Sequence, residues 1–212
     1  MFDRAFTTRS LATRALTARA LTVLVLCVAA SVAPAAVASN QAPKLSDPTA
    51  PESFRANGQV TDTPGGVASS MTIQIDRYTS DADHKTIVDA LQTGDKAAFL
   101  AVLRKAPVAG ALKMGNRSIP IRWARQQAQG RDRRVAVMTE APVYFFGAGA
   151  VDAKPTEGYD VGVLEFTVDS VGIGKGTMAG AARVKPGGPT GIEIEDYSGK
   201  RIELTTVTRN KS

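Results

Sequence analysis

Three short stretches carry the side chains best suited to recognising a ligand: Arg122-Trp123-Ala124-Arg125, Arg133-Arg134, and Tyr144-Phe145-Phe146. An indole flanked by guanidiniums suits an amphipathic or anionic molecule: the ring covers an apolar body and the planar cation takes an oxyanion by two hydrogen bonds. On an ideal strand, Ile121, Trp123 and Arg125 share one side and Arg122 the other. If that strand belongs to a barrel with Trp123 inward, Arg125 sits at its mouth. The plainer alternative is a core tryptophan between surface arginines. Tyr144 and Phe146, just ahead of Gly147 and Gly149, are either a lid over such a site or core aromatics meeting a loop. The candidate ligand-binding residues are therefore Trp123, Arg125, Arg122, Tyr144 and Phe146.

No stretch assembles a catalytic constellation. The segment VGIGKGTMAGAARV (residues 171–184) sets glycines around Lys175, but one residue separates Gly172 from Gly174 where a phosphate-binding loop needs four, and Gly176 follows the lysine in place of Ser or Thr. A calcium loop would need an oxygen ligand at Val171 and a Glu at Gly180, and has neither. The simpler expectation is a hairpin turn begun by Asp169-Ser170, with the glycines supplying positive φ or close packing. His84 is the only histidine, so no His-rich zinc site is possible; it reads as a solvated residue early in a helix. Glu193 and Glu195, roughly 6.5–7 Å apart on one strand side, have a spacing that paired glycosidase carboxylates can show, but they fit solvent-facing acids better. Asn116-Arg117-Ser118 matches a glycosylation sequon, a pattern common by chance. No metal and no cofactor is expected.

These residues need elements to hold them. Residues 1–38 read as a signal peptide: Arg4, Arg9, Arg14 and Arg19 precede the apolar run of residues 20–33, and Ala36-Val37-Ala38 fits the small-x-small cleavage rule, with Ser39 next. The run is too short for a membrane span, so no transmembrane segment is expected in the mature chain. Cys27, the only cysteine, lies within this run. After cleavage no thiol remains for a disulfide, a nucleophile or a metal. The formal charge of +6 falls to +3, with 22 basic and 19 acidic residues left, which is no nucleic-acid signature. Localisation is expected to be periplasmic or secreted. Residues 39–52, rich in Pro, Ser and Ala, read as a flexible linker, residues 53–209 as one domain, and 210–212 as a tail.

Within the domain, residues 53–61 and Met71–Asp76 predict strands separated by the Pro64-Gly65-Gly66 turn. The period then changes. Ser80 or Asp81 caps a helix carrying Ile87, Val88 and Leu91 and stopped by Gly94; Asp95 caps a second carrying Phe99, Val102 and Leu103, stopped before Pro107. Strand patterns return at 108–113, 119–127, 133–139, 159–169 and 192–195, and Ser198-Gly199 is expected to turn the chain into a last strand at 202–208. Short links imply antiparallel neighbours. The expectation is an α+β fold: about eight antiparallel strands in a strongly bent or barrel-like sheet, with an αα-hairpin after the second strand.

IRWARQ (121–126), RRVAVMTEAPVYF (133–145) and the strand VLEFTVD with its glycine turn resemble an uncharacterised family of exported bacterial proteins. Its pattern is an R-[WY]-A-R-Q strand, a turn, an R-R strand ending T-[ED]-x-P, then an acidic strand closing in D-x-x-G-x-G-x-G. The resemblance spans roughly residues 54–208. It implies export and the hairpin reading, and implies no activity. The function expected is an exported, non-enzymatic binding protein for an apolar or amphipathic small molecule. The alternatives are an exported hydrolase with a site assembled from distant strands, and an envelope-associated interaction protein.

Overall fold

Alternating burial along the strands closes them into a ring. The computed structural model describes residues 50–60, 67–144 and 156–210. The expected signal peptide, most of the expected linker, the expected turn at Pro64-Gly65-Gly66 and Phe146 lie outside them. The elements run β1 (Glu52–Val60), β2 (Val67–Ile75), α1 (Asp81–Gln92), α2 (Lys96–Lys105), β3 (Gly110–Met114), β4 (Arg117–Gln129), β5 (Asp132–Thr139), β6 (Val161–Val168), β7 (Ile173–Pro186) and β8 (Ile192–Arg209). Each strand pairs antiparallel with the next, and β8 pairs with β1 to close an eight-stranded barrel. The expected α+β architecture, helix pair included, is the one observed.

Eight strands leave an interior just wide enough for side chains to fill. Here it is filled. Phe54, Ile73, Leu112, Ile121, Val135, Leu164, Met178 and Leu204, one from each strand, meet in a single buried cluster. Between them Ser53, Arg55, Asn57 and Gln59 of β1 face outward. An apolar inside and a polar outside reverse the pattern of a membrane-spanning barrel. No helix among the described residues is long and apolar enough to cross a membrane.

The helix pair forms where its caps say it should. Ser80 accepts from the Asp83 amide and Asp95 from the Ala98 amide, each satisfying a donor at a helix start. Gly94, at φ +73°, ends the first helix. The pair lies against the outside of the barrel. Its Ile87, Phe99 and Leu103 join Trp123, Met138, Val163 and Ala182 in a second buried cluster.

Of two expectations about β7 and β8, one holds and one changes. The glycine segment does begin with a turn. Asp169 Oδ1 accepts from the amides of Val171 and Ile173, both at 2.9 Å. The chain then continues as a 14-residue strand. Its glycines allow close strand contact: a Cβ on Gly176 would lie 2.2 Å from the Glu165 carbonyl oxygen. Ser198-Gly199, expected as a turn, lies inside the 18-residue β8. Gly199, at φ +84°, sits in a bulge opposite Gly180, where the pairing steps from Ala179↔Arg201 to Ala181↔Ser198. The extra length lets the far half of the β7–β8 hairpin fold over α1. Val184 and Ile192 pack in the same cluster as Ile87, and Gly191 rests against the His84 ring.

Candidate functional site

Trp123 does not face the barrel interior. The β4–β5 register shifts between Ile121 and Trp123, leaving Arg122 as an extra residue on β4. One inserted residue moves every later side chain to the other face. Ile121 and Ala124 therefore both point inward, and Trp123 points outward beneath the helices, 1 % exposed. The expected grouping is corrected at Ile121 alone, which faces inward while Trp123 and Arg125 stay together on the outer side; of the two readings of Trp123, the core tryptophan is the one observed and a central cavity lined by it is not.

The IRWARQ strand serves instead as a docking strip for the helices. Arg122 donates from Nε to Glu140 at 2.6 Å and from Nη1 to the Ala106 carbonyl, at the C-terminal cap of α2, at 2.9 Å. Trp123 donates Nε1–H to His84 Nδ1 on α1 at 3.0 Å. The Ala124 amide donates to Thr79 Oγ1, and Arg125 bridges the Thr79 carbonyl and the Asp81 carboxylate. Four consecutive residues thus hold the helix pair at its α2 cap, at His84, and at the Thr79–Asp81 entry to α1. His84, expected to be solvated, lies between Trp123 and Gly191. Burial, and then the nearby Arg125 charge, lower its pKa below 6.5, with Asp81 partly opposing. Arg125 also holds the Asp81 carboxyl low by hydrogen bonding and charge.

Arg133 is the arginine that does enter the barrel. It makes a two-pronged pair with Glu52, both contacts 2.8 Å, and lies 5.7 Å over the Phe54 ring. Gln126 accepts from the same guanidinium, and the Tyr78 hydroxyl donates to Glu52. Burial and the Glu52 charge push the Tyr78 phenol far up. Nearly every polar atom here has a partner, so the cluster works as a plug closing one end of the apolar interior. Glu52, assigned by sequence to the linker, is the first residue of β1.

The open volume lies outside the barrel. A cleft of about 450 Å³ opens between the α1–α2 turn, the start of β6 and the outer half of β7. Leu91, Phe99, Leu100, Val161, Ala182 and Val184 make its apolar surface, and Lys96, Asp160, Arg183, Lys185 and Glu195 its charged rim. Lys96 Nζ lies 2.6 Å from Asp160 Oδ2 as an ion pair outside hydrogen-bond direction, and Lys185 pairs with Glu193 at 3.2 Å. Arg183 has no carboxylate within ion-pair distance among the described residues, although its charge helps hold the cross-strand Asp196 carboxyl low. Its guanidinium lies 5.0 Å over the Tyr159 ring, and the Tyr159 hydroxyl is fixed to Asp196 at 2.6 Å. That hydrogen bond raises the tyrosine's pKa and lowers the aspartate's.

None of Trp123, Arg122, Arg125 and Tyr144 lines this cleft. Tyr144 is half-buried, its hydroxyl without a hydrogen-bond partner among the described residues, and Phe146 is outside them. Glu193 and Glu195 do not act as a pair: Glu193 holds Lys185, whereas Glu195 is the extra residue of a bulge between Arg183 and Val184 and faces the cleft. Lys175 is exposed on β7, and no phosphate cradle forms around it. Sequence reasoning missed the cleft because its lining comes from five elements. The nearest signal was the apolar stripe of α2, which reads equally as core. Among the described residues no three His, Cys, Asp or Glu side chains converge to hold a metal. No family model, curated protein or solved structure matches the chain.

Proposed function

We propose that this chain is an exported binding protein that holds a small apolar or amphipathic molecule in the cleft between its helix pair and β7. The observation that carries this reading is the cleft itself. Its volume of about 450 Å³ falls within the range of small-molecule sites, and its apolar lining with a few charged groups is their usual make-up. The filled barrel interior supports an external site over a central one. The arginine-led apolar segment of residues 1–38 supports export to the periplasm or beyond.

Native mass spectrometry of gently purified protein tests the reading. A co-purifying small molecule, lost on denaturation and kept out when Leu100→Trp narrows the cleft, is the expected result. A clean apo mass, with no compound retained from envelope extracts, would count against it.

A further inference from the structure

We infer that the ligand carries a single carboxylate on its apolar body, and that Arg183 receives it; this rests on the cleft reading above. Three cations stand on the rim. Lys96 and Lys185 are each engaged by an acidic side chain, at 2.6 and 3.2 Å. Arg183 has no carboxylate within ion-pair distance among the described residues and feels only the longer-range charge of Asp196, its cross-strand neighbour, yet it is held: its guanidinium stacks over Tyr159, whose hydroxyl is anchored to that same Asp196. Next to it Gly158 leaves room, since a Cβ there would come within 3.1 Å of Arg183 Nη2. A planar cation fixed by stacking keeps its N–H edges for a carboxylate and loses little freedom on binding.

The apolar wall fixes the rest of the molecule. Phe99, Leu100 and Val184 offer it nothing but carbon. Glu195, also on the rim and without an ion pair among the described residues, repels a second negative charge and so favours a monoanion.

Three probes with one apolar body separate the possibilities: octanoate, 1-octanol and octylammonium. Each is titrated into isotope-labelled protein, with NMR shifts at Phe99, Leu100, Val161 and Ala182–Lys185 locating it and calorimetry giving its affinity. Octanoate should bind at least about tenfold tighter than 1-octanol, and Arg183→Gln should erase that difference while leaving 1-octanol binding unchanged. Equal binding of octanoate and 1-octanol in the cleft would overturn the carboxylate assignment and leave the cleft reading standing. Tighter binding of octylammonium would also overturn it, by showing that Glu195 governs the rim. Shifts with none of the three would overturn the cleft reading and this inference with it.

Discussion

Trp123 and His84, 39 residues apart, meet in one hydrogen bond of 3.0 Å from the indole N–H to imidazole Nδ1. The bond joins the barrel wall to α1, and Gly191 closes over the other side of the imidazole. The acceptor must be the neutral ring, because a protonated imidazole has no lone pair at Nδ1.

Stability should therefore depend on pH through His84. Its folded pKa is lowered below 6.5, by burial first. As pH falls below about 6.5 the unfolded chain takes up a proton that the folded one resists, so stability drops from there down to the folded pKa. Above that window this histidine contributes no slope. Urea titrations at several pH values check it. In His84→Gln, which retains an acceptor but does not titrate, this part of the slope should vanish.

Replacing Trp123 tests core against cavity. Trp123→Ala should cost about 3–5 kcal/mol, as for a large buried aromatic. Addition of lipid or aromatic compounds should leave the wild-type Trp123 emission essentially unchanged, because the ring is buried and does not line the cleft.

Glu52 and Glu165 each face an arginine, and the two pairs should differ in worth. Glu52 and Arg133 are 6 % and 19 % exposed, and removing Glu52 strands a buried cation. Glu52→Ala should cost about 3–5 kcal/mol. Glu165→Ala breaks the more exposed contact with Arg134 and should cost under about 1 kcal/mol. Equal losses in chemical denaturation would refute the plug.

The glycine segment should tolerate loss of its lysine and resist growth of its glycines. Lys175→Ala should change stability by no more than about 0.5 kcal/mol and leave calorimetric titrations with nucleotides flat. Gly176→Ala drives a methyl into the Glu165 carbonyl and should cost about 1–3 kcal/mol.

Export has its own measurement. Intact mass of protein recovered from the envelope of an expressing bacterium should match a chain starting near Ser39. Full-length mass from the cytosol would contradict it.

Local chemistry made much of this protein legible in advance. Phe54, Ala56, Met71, Ile73 and Ile75 alternate with polar neighbours, and period-2 burial alone predicts their strands. Ser80 and Asp95 cap the helices where their side chains meet orphan amides. Asp169 sets its turn through its own carboxylate. Each of these depends on residues a few positions apart.

What the chain order hid depends on partners far away. An extra residue at Arg122 leaves no mark in composition, because a bulge is decided by what the neighbouring strand pairs with; yet it alone sends Trp123 outward to His84 rather than inward. β7 was unreadable as a strand because its alanines and glycines give no apolar contrast, and their smallness is needed only where another backbone comes close. The cleft is decided last. Phe99 and Val184 are ordinary apolar residues until the long β7–β8 hairpin folds over the helices and leaves a gap between them, with Arg183 stacked on Tyr159 at its rim. Alternation is a local property of the chain, whereas register, closure and the spaces between packed elements are set by pairing across the whole barrel.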